Sequence, residues 1–360
     1  MTKPVVVQHS FGEVGAGGPI GALRRLTSSR LADAYEFVPL HQSSAAGGIN
    51  FRLLKEWAVE LRRVRPDIVH VRGLGNEGFH GVLAARLAGC RRVLVSVHGT
   101  QRDLTGPVTL RRRIVVEVLE PLTLMLASHV TTVCRFAMER PFVQRHRRKL
   151  VGPLVNGVSF AGTEPAERAP VRAEVGAGDD DLVLISVGRL TQEKGHRDLA
   201  EALSQLPRAV AGRLVLVVVG DGPDATEIED AYRGVTGLRV VMLGQRLDVP
   251  RLLSGADVFV FPTWHENLSN ALIEAMAAGL PVVATRVGGN TEVVEGGGGI
   301  LVEAHAPAEL STSIVRVAED ASLRAELARA AKDNALSNYS LDAMVESADA
   351  IYLEMLGSKR

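Results

Sequence analysis

Two cations lie close together near the start of the second half of the chain. Arg189 follows Gly188 at the end of an apolar run, and Lys194 comes five residues later, between Glu193 and Gly195. At a strand-to-helix turn, the planar guanidinium and the compact ammonium can converge on one diphosphate. Cations before a helix N-terminus oppose the helix dipole, so this placement favours a bound anion over the alternative of two solvated charges.

A pair of carboxylates follows in residues 261–274. Glu266 and Glu274 are eight residues apart, and a helix is predicted to begin near residues 267–269, between them. Carboxylate oxygens accept hydrogen bonds from the hydroxyls of a sugar or ribose. The free amides of Leu268, Ser269 and Asn270 would face an anion at the helix N-terminus. The alternative is that Glu266 caps the helix and Glu274 is a solvated helical side chain.

Two features of the first half also lie at the carboxyl ends of predicted strands. The turn after the first predicted strand is rich in glycine, including Gly17 and Gly18, which would let the backbone approach a phosphate or a sugar. Its spacing is not G-x-G-x-x-G, so dinucleotide binding is disfavoured, and a flexible turn is the alternative. His98 ends a later strand and could act as donor, acceptor or acid/base, with His70 as its competitor.

One further turn could hold a planar base through its backbone. It follows the third predicted strand of the second half and contains Gln245, Arg246 and Leu247.

Short Val/Ile-rich runs alternate with helical patterns, which is typical of parallel β-α-β units. The strands predicted in the first half are residues 4–9, 35–39, 67–72, 93–98 and 129–134. Those predicted in the second half are residues 182–187, 214–219, 239–243, 257–261, 281–284 and 299–302. The pattern therefore predicts an α/β protein with two doubly wound parallel sheets, whose strand-end loops would face each other across a cleft.

The predicted domains are residues 1–155 and 156–339, with a C-terminal helix at about 340–360 packing back on the first domain. Residues 160–181 hold no periodic element and mark the junction. The final helices are predicted at residues 306–318, 322–337 and 340–356.

Charge is divided unevenly between the two halves of the chain. The 41 basic and 41 acidic side chains cancel, but residues 1–150 carry 23 basic and 11 acidic ones. The overall balance argues against a protein that coats nucleic acid. Two cysteines are too few for a disulfide framework, and no signal or spanning helix is predicted, so we expect a cytoplasmic protein.

The combination of motifs resembles the retaining GT-B glycosyltransferases of family GT4 (glycosyl transferases group 1). The resemblance is carried by Gly188-Arg189 with Lys194-Gly195, the E-x7-E pair, Gly17-Gly18 and His98-Gly99, and it covers nearly the whole chain. It implies two Rossmann-like domains and a nucleoside-diphosphate sugar as donor.

The resemblance also implies a role for each motif. Arg189 and Lys194 would bind the donor diphosphate and stabilise the leaving group. Glu274 would contact the ribose. Glu266 would lie beside the sugar and diphosphate, together with the backbone amides of Asn267, Leu268, Ser269 and Asn270. Gln245, Arg246 and Leu247 would hold the nucleobase. His98 would lie near the sugar and the acceptor, and Gly17 and Gly18 would approach the diphosphate.

The implied reaction is sugar transfer to a hydroxyl acceptor with retention at the anomeric carbon, by same-face attack in which the departing phosphate oxygen takes the acceptor proton. No metal or cofactor is expected, and UDP- or GDP-sugars are the expected donors. Two alternatives stay open: a UDP-sugar 2-epimerase with the same scaffold, and a noncatalytic sugar-nucleotide-binding protein.

The basic first half is the clue to the acceptor. Its arginines and lysine form two clusters, one at Arg111, Arg112 and Arg113 and one at Arg140, Arg145, Arg147, Arg148 and Lys149. They could contact an anionic bilayer at the inner face of the membrane, or form a solvated surface that serves a soluble acceptor. The acceptor could be a glycan, a lipid-linked glycan or a small molecule, and no nucleic acid is expected.

Overall fold

The computed structural model describes residues 2–12, 18–42, 48–103, 108–158 and 165–357. Contacts divide the chain into two units. The first consists of Met1–Gly157 with Leu341–Arg360, and the second consists of Val158–Ser340. Each unit is built on one six-stranded parallel sheet in its described residues. The predicted α/β class with two doubly wound sheets is confirmed.

The sheet of the first unit has the strand order β2-β1-β3-β4-β5-β6. Its strands are β1 (Val5–Phe11), β2 (Glu36–Gln42), β3 (Ile68–Arg72), β4 (Val93–Val97), β5 (His129–Thr132) and β6 (Leu150–Pro153). At the centre of β1, Val7 pairs with Val38 of β2 and Val69 of β3. β6 was not predicted, because its only apolar side chains before Gly-Pro are those of Leu150 and Val151.

Helices cover both faces of this sheet. They are α1 (Gly18–Thr27), α2 (Leu31–Ala34), α3 (Phe51–Val64), α4 (Asn76–Leu87), α5 (Leu110–Ile114), α6 (Glu120–Leu126), α7 (Arg135–Glu139) and α8 (Pro141–Gln144). A π-helical turn, Val115–Leu119, joins α5 to α6. The C-terminal helix α18 (Leu341–Leu356) also belongs to this unit, because its buried side chains, including Tyr352, pack with Val6 and Leu26.

The sheet of the second unit has the strand order β12-β11-β10-β7-β8-β9. Its strands are β7 (Leu182–Val187), β8 (Leu214–Val219), β9 (Arg239–Met242), β10 (Val258–Phe261), β11 (Val282–Thr285) and β12 (Gly299–Val302). These agree with the six predicted strands, and β7, β8 and β12 have the predicted bounds. The continuous apolar runs reflect strands that are buried on both faces.

Helices also cover the second sheet. They are α9 (Arg168–Glu174), α10 (His196–Ser204), α11 (Arg208–Ala211), α12 (Ala225–Arg233), α13 (Val249–Gly255), α14 (Asn270–Ala277), α15 (Gly288–Glu295), α16 (Pro307–Glu319) and α17 (Ala321–Asn338). No helix in the described ranges is both long and apolar enough to cross a membrane.

The interpretation of residues 160–181 as a segment without elements was wrong, because α9 lies within it. This seven-residue helix buries Val171 and Arg172. Arg172 Nη1 donates to Asp257 Oδ2 at 3.0 Å. The ion pair adds to the packing of Val171, and a single buried apolar side chain leaves no apolar period for a sequence search to detect.

Each sheet has one point at which the strand order reverses. In the first unit it lies between β1 and β3, and in the second between β7 and β10. Ligands of open parallel sheets bind at such points, outside the carboxyl ends of the strands. The loops after these four strands are therefore where a site is expected.

Candidate active site

The loops after β7 and β10 are packed tightly against each other in the second unit. The backbone oxygen of Glu193 accepts hydrogen bonds from the amide of Trp264 at 2.7 Å and from Thr263 Oγ1 at 3.0 Å. Gly195 has φ +69°, and a Cβ there would overlap the carbonyl oxygen of Pro262. Glycine at position 195 therefore allows the two loops to come closer together than any residue with a side chain would permit.

Lys194 and Glu266 meet at this reversal point. Lys194 Nζ lies 2.5 Å from Glu266 Oε2, and the two side chains are 20% and 19% exposed. The same ammonium lies 5.5 Å from the centre of the Phe261 ring. Two residues predicted from separate motifs, 72 positions apart, thus form one charged contact at the carboxyl edge of the sheet.

Arg189 follows β7 on the same edge. The turn that carries it is fixed by two backbone bonds, from Gly188 N to Val219 O and from Leu190 N to Asp221 O, each 3.0 Å long. The side chain is exposed, and none of the described residues forms an ion pair with it. Its guanidinium is therefore available to an anionic ligand.

Helix α14 begins at Asn270, slightly later than predicted. Ser269 is its N-cap, and the Ser269 side chain accepts a hydrogen bond from the amide of Leu272 at 3.2 Å. This bond uses one of the first amides of the helix, and the amide of Ala271 in the same turn can serve a ligand. Leu268 is 8% exposed, so its side chain belongs to the core and only its backbone can serve a ligand.

The second carboxylate of the E-x7-E pair, Glu274, is the fifth residue of α14 and is partly buried. Asn267 and Glu266 precede the helix and are partly buried as well. The structure therefore places one carboxylate in the loop before the helix and the other on its second turn.

The turn after β9 carries the three residues predicted at the nucleobase. Gln245 and Leu247 are exposed, Leu247 by 93%. Arg246, in contrast, donates to Asp248 and to Glu174, the latter at 2.7 Å. Hydrogen bonds from Arg246 lower the pKa of Asp248 to about 2. Because its guanidinium is held by these carboxylates, Arg246 could serve a base only through its backbone.

The contact between Trp264 and Asp198 was not predicted from the sequence motifs. Trp264 Nε1 donates to Asp198 Oδ2 at 2.7 Å. This bond ties the loop that carries Glu266 to helix α10. Nothing in the sequence around Asp198, on α10, marks it as the partner of the indole.

In the first unit, His98 follows β4 and its Nε2 atom is buried with no partner among the described residues. Burial, followed by the charge of Arg72, lowers the pKa of His98 to about 3. The imidazole is therefore neutral at physiological pH. The turn that follows is held by buried Glu120, whose Oε1 accepts from Thr100 Oγ1 at 2.6 Å.

The competitor, His70, has both ring nitrogens occupied. Nδ1 lies 2.9 Å from Tyr352 Oη and Nε2 lies 2.6 Å from Ser96 Oγ. His70 is thus a structural side chain. Gly17 lies outside the described residues, and Gly18 begins α1.

Comparison with known proteins shows the family. Residues 181–320 match the model described as "Glycosyl transferases group 1". The chain is 30% identical over 343 residues to the 2-deoxystreptamine glucosyltransferase of Streptomyces kanamyceticus, an alignment that covers 90% of this chain and 85% of the relative. The chain belongs to the glycosyl transferases group 1 family. The match contains Arg189, Lys194, Glu266 and Glu274.

Two further comparisons agree with this glycosyltransferase assignment. The chain is 27% identical over 312 residues to the UDP-Gal:alpha-D-GlcNAc-diphosphoundecaprenol alpha-1,3-galactosyltransferase of Escherichia coli, covering 83% of this chain and 78% of the relative. The crystal structure of Anabaena Alr3699/HepE in complex with UDP and glucose superposes with a TM-score of 0.82 at 18% identity, covering 98% of this chain and all of that one. The GT-B class of the fold is confirmed.

Proposed function

We propose that this glycosyltransferase moves a sugar from a nucleoside-diphosphate sugar to a hydroxyl acceptor, with retention and without a metal ion. The observation that carries the proposal is the contact of Lys194 with Glu266 at the reversal point of the second sheet. An exposed Arg189 lies on the same edge. A diphosphate beside these cations would be held where open parallel sheets bind their ligands.

The positive charges act on the leaving group. As the bond from the anomeric carbon to the phosphate oxygen breaks, its electron pair stays with the diphosphate. Arg189, Lys194 and the amide of Ala271, in the first turn of α14, supply fixed positive charge for that anion. This is the role that a metal ion fills in other transferases.

The acceptor reaction needs no covalent enzyme intermediate. The acceptor oxygen forms the new bond to the anomeric carbon on the face that the leaving group departs from. Its proton passes to the departing phosphate oxygen, so bonds, charge and protons balance. Glu266 and Glu274 accept hydrogen bonds from sugar and ribose hydroxyls. Neutral His98 serves as a hydrogen-bond partner of the sugar or acceptor rather than as an acid.

UDP- and GDP-sugars are the proposed donors. The name of the E. coli relative specifies UDP-Gal, and the Anabaena structure contains UDP and glucose, so UDP is the first base to test. The turn at Gln245 and Leu247 would hold the base through exposed backbone and side-chain surface.

A screen against UDP-, GDP- and ADP-sugars tests this function. A donor that binds the folded protein raises its melting temperature, and it releases nucleoside diphosphate when turned over. We expect both effects in EDTA. An epimerase would instead convert the sugar nucleotide to its 2-epimer without releasing the diphosphate, and a binding protein would leave it intact.

We also propose that the first unit contacts an anionic membrane. Along the helical segment 110–126, Leu110, Ile114 and Val118 recur every four residues and are 76%, 47% and 46% exposed. Arg111 and Arg113 beside them are exposed too. An apolar stripe flanked by arginines suits the interface of a bilayer that contains anionic lipid, and the diphosphoundecaprenol acceptor of the E. coli relative is consistent with this choice.

Part of the second predicted basic cluster has another role. Arg140 pairs with Asp103 at 2.6 Å, and Lys149 Nζ donates to the carbonyl oxygens of Leu124, Met125 and Ala127. Arg145, Arg147 and Arg148 are the exposed members. The proposed surface therefore consists of the stripe at residues 110–118 with its arginines, on the cytoplasmic side of the membrane.

A further inference from the structure

Arg72 stands at the reversal point of the first sheet. It is the last residue of β3, and β3 lies next to β1 where the strand order turns. Loops at this point bind ligands in open parallel sheets. The sequence motifs give Arg72 no role, because a lone arginine after an apolar run is also an ordinary strand end.

The guanidinium of Arg72 is buried, and no described carboxylate pairs with it. The residue is 9% exposed, and none of the described residues forms an ion pair with it. Both of its hydrogen bonds come from Nη1, to Gln8 Oε1 at 2.7 Å and to the carbonyl oxygen of His9 at 3.4 Å. Nε and Nη2, which form the side-on edge of the guanidinium, donate to no described residue.

The surrounding groups do not offset this charge. Gln8 Nε2 donates to Tyr352 Oη at 2.9 Å. The same hydroxyl is hydrogen-bonded to His70 Nδ1, and His70 Nε2 is hydrogen-bonded to Ser96 Oγ. These groups are neutral at physiological pH, because burial keeps the pKa of His70 well below its usual value and raises that of Tyr352. The network holds Arg72 in place, and its described members carry no negative charge to offset that of the guanidinium.

Burial lowers the pKa of Arg72 to about 10, so the side chain stays protonated at neutral pH. A buried cation is costly unless an anion pairs with it. The free Nε–Nη2 edge has the planar fork that matches two oxygens of a phosphate or a carboxylate. The missing partner is therefore an oxyanion that comes from outside the described residues.

We propose that Arg72 binds an oxyanion, phosphate or carboxylate, of the acceptor substrate through its Nε–Nη2 edge. The inference rests on the proposed function, in which the donor motifs lie in the second unit and the first unit serves the acceptor. Arg72 pairs with Ser96 of β4, two residues before His98, and its charge also lowers the pKa of His98, so both residues lie at the same edge of the sheet. An acceptor held by its anionic group at Arg72 would present its hydroxyl near the unpartnered Nε2 of His98.

Inorganic phosphate tests the binding site without knowledge of the acceptor. The full-length chain is melted with phosphate replacing chloride at constant ionic strength, as the double variant R189Q/K194Q and as that variant with R72Q added. The double variant lacks the donor cations, so its remaining rise in melting temperature reports Arg72. We expect the rise in the double variant and its loss in the triple variant. Equal responses of the two would overturn the proposal.

Three additional variants serve as controls for this test. R72K keeps the charge without the fork, and we expect it to restore part of the phosphate response if R72Q alone unfolds too readily. Arg62→Gln is the control, since Arg62 is an exposed residue of α3 whose Nη2 donates to the carbonyl oxygen of Leu87. E13Q tests Glu13, which lies outside the described residues. A phosphate response that appears only in E13Q would show that Arg72 has an internal partner, which also overturns the proposal.

Kinetics separate the two possible sources of the oxyanion. With a donor from the screen and its acceptor, R72Q should raise the acceptor KM about 10- to 100-fold, the range for losing a hydrogen bond to a charged group. The donor KM and the rate of donor hydrolysis without acceptor should stay at the wild-type values. A rise in the donor KM instead would assign Arg72 to the donor and contradict the acceptor role. Normal donor hydrolysis with an unchanged acceptor KM would sink the inference while leaving the proposed function intact.

Discussion

Lys194 Nζ and Glu266 Oε2 are 2.5 Å apart, at the point where the strand order of the second sheet reverses. The lysine follows β7 and the glutamate follows β10, so the contact joins the two loops that frame this edge. Each side chain is about one-fifth exposed. A diphosphate that reaches this edge must share the lysine with Glu266 or displace the carboxylate.

Removing either donor cation should slow turnover. We expect K194Q and R189Q each to lower the kcat of donor hydrolysis by about 10²- to 10³-fold, the loss found when one donor to a developing oxyanion is deleted. The measurement is nucleoside-diphosphate release in EDTA at saturating donor. Arg208→Gln, an exposed arginine on α11, is the control and should retain the wild-type rate. A K194Q rate within twofold of wild type would exclude the proposed role.

Glu266 should separate turnover from diphosphate binding. In E266Q, Lys194 loses its carboxylate partner and is free for the diphosphate, so UDP without a sugar should bind at least as tightly as to wild type. Transfer should fall, because the carboxylate no longer accepts from the sugar hydroxyls. Titration calorimetry with UDP and a transfer assay measure the two effects. Weaker UDP binding by E266Q than by K194Q would contradict this arrangement.

Gly195 should tolerate no side chain. In G195A the strain of a positive φ, about 1–2 kcal/mol, adds to the overlap of the new Cβ with the carbonyl oxygen of Pro262. Gly89→Ala is the matched control, since Gly89 has φ +86° and nothing within 4 Å of a Cβ. Urea unfolding should show a larger loss of stability for G195A than for G89A, and only G195A should impair donor turnover. Equal losses would mean that the two loops are not tightly packed.

Protonation of His98 should weaken the fold in acid. Its pKa is about 3 in the folded chain, against 6.5 without burial, so the unfolded chain binds one more proton between these values. The contribution of neutral His98 to the free energy of unfolding is therefore fully present above pH 6.5 and is lost as the pH falls towards 3. H98N should make the slope shallower by about 1.4 kcal/mol per pH unit, as measured by urea unfolding from pH 6.5 to 4.

The H41N variant is the control for the dependence of unfolding free energy on pH, because His41 is an exposed residue of the same unit. An H98N slope equal to that of wild type and H41N would show that His98 is not buried as a neutral group. The same pKa predicts that the plot of rate against pH contains no ionisation of His98 between pH 5 and 9. The H98N variant should therefore show the same ionisations in this range as the wild type.

Membrane contact should depend on the apolar stripe. We expect the double variant L110S/I114S to lose co-sedimentation with vesicles of phosphatidylglycerol, because the exposed apolar side chains of α5 no longer enter the interface. Val59→Ser, which changes an apolar side chain that is 54% exposed on α3, is the control. Binding of the wild type that is equal with phosphatidylcholine vesicles, or unchanged in the double variant, would remove the membrane proposal.

The sequence was most informative where apolar runs were continuous. β7, β8 and β12 have their predicted bounds because strands buried on both faces show no competing pattern. β6 and α9 were missed, since one is short and the other is held by the ion pair of Arg172 with Asp257. Spacing alone identified Lys194 and Glu266, but only the strand order brings them into contact.

Other features depend on partners that are distant in sequence. Glu174, 72 residues away, joins Asp248 in holding the guanidinium of Arg246, so Arg246 could contact a base only through its backbone. Arg72 was overlooked for the converse reason. Its significance comes from the absence of a carboxylate among the described residues around it, and a sequence does not reveal which acidic residues lie near an arginine.

In the proposed function, Arg189 and Lys194 hold the diphosphate of the donor without a metal ion. This role is tested by calorimetric titration of UDP and GDP into the wild type and R189Q/K194Q, both in EDTA. We predict that the wild type binds at least one of the two nucleotides. The double variant should bind that nucleotide at least 100-fold more weakly, as expected for two charged contacts of about 1.5–3 kcal/mol each. Equal affinity in the two proteins, or binding by the wild type only when Mg²⁺ is added, would contradict the claim.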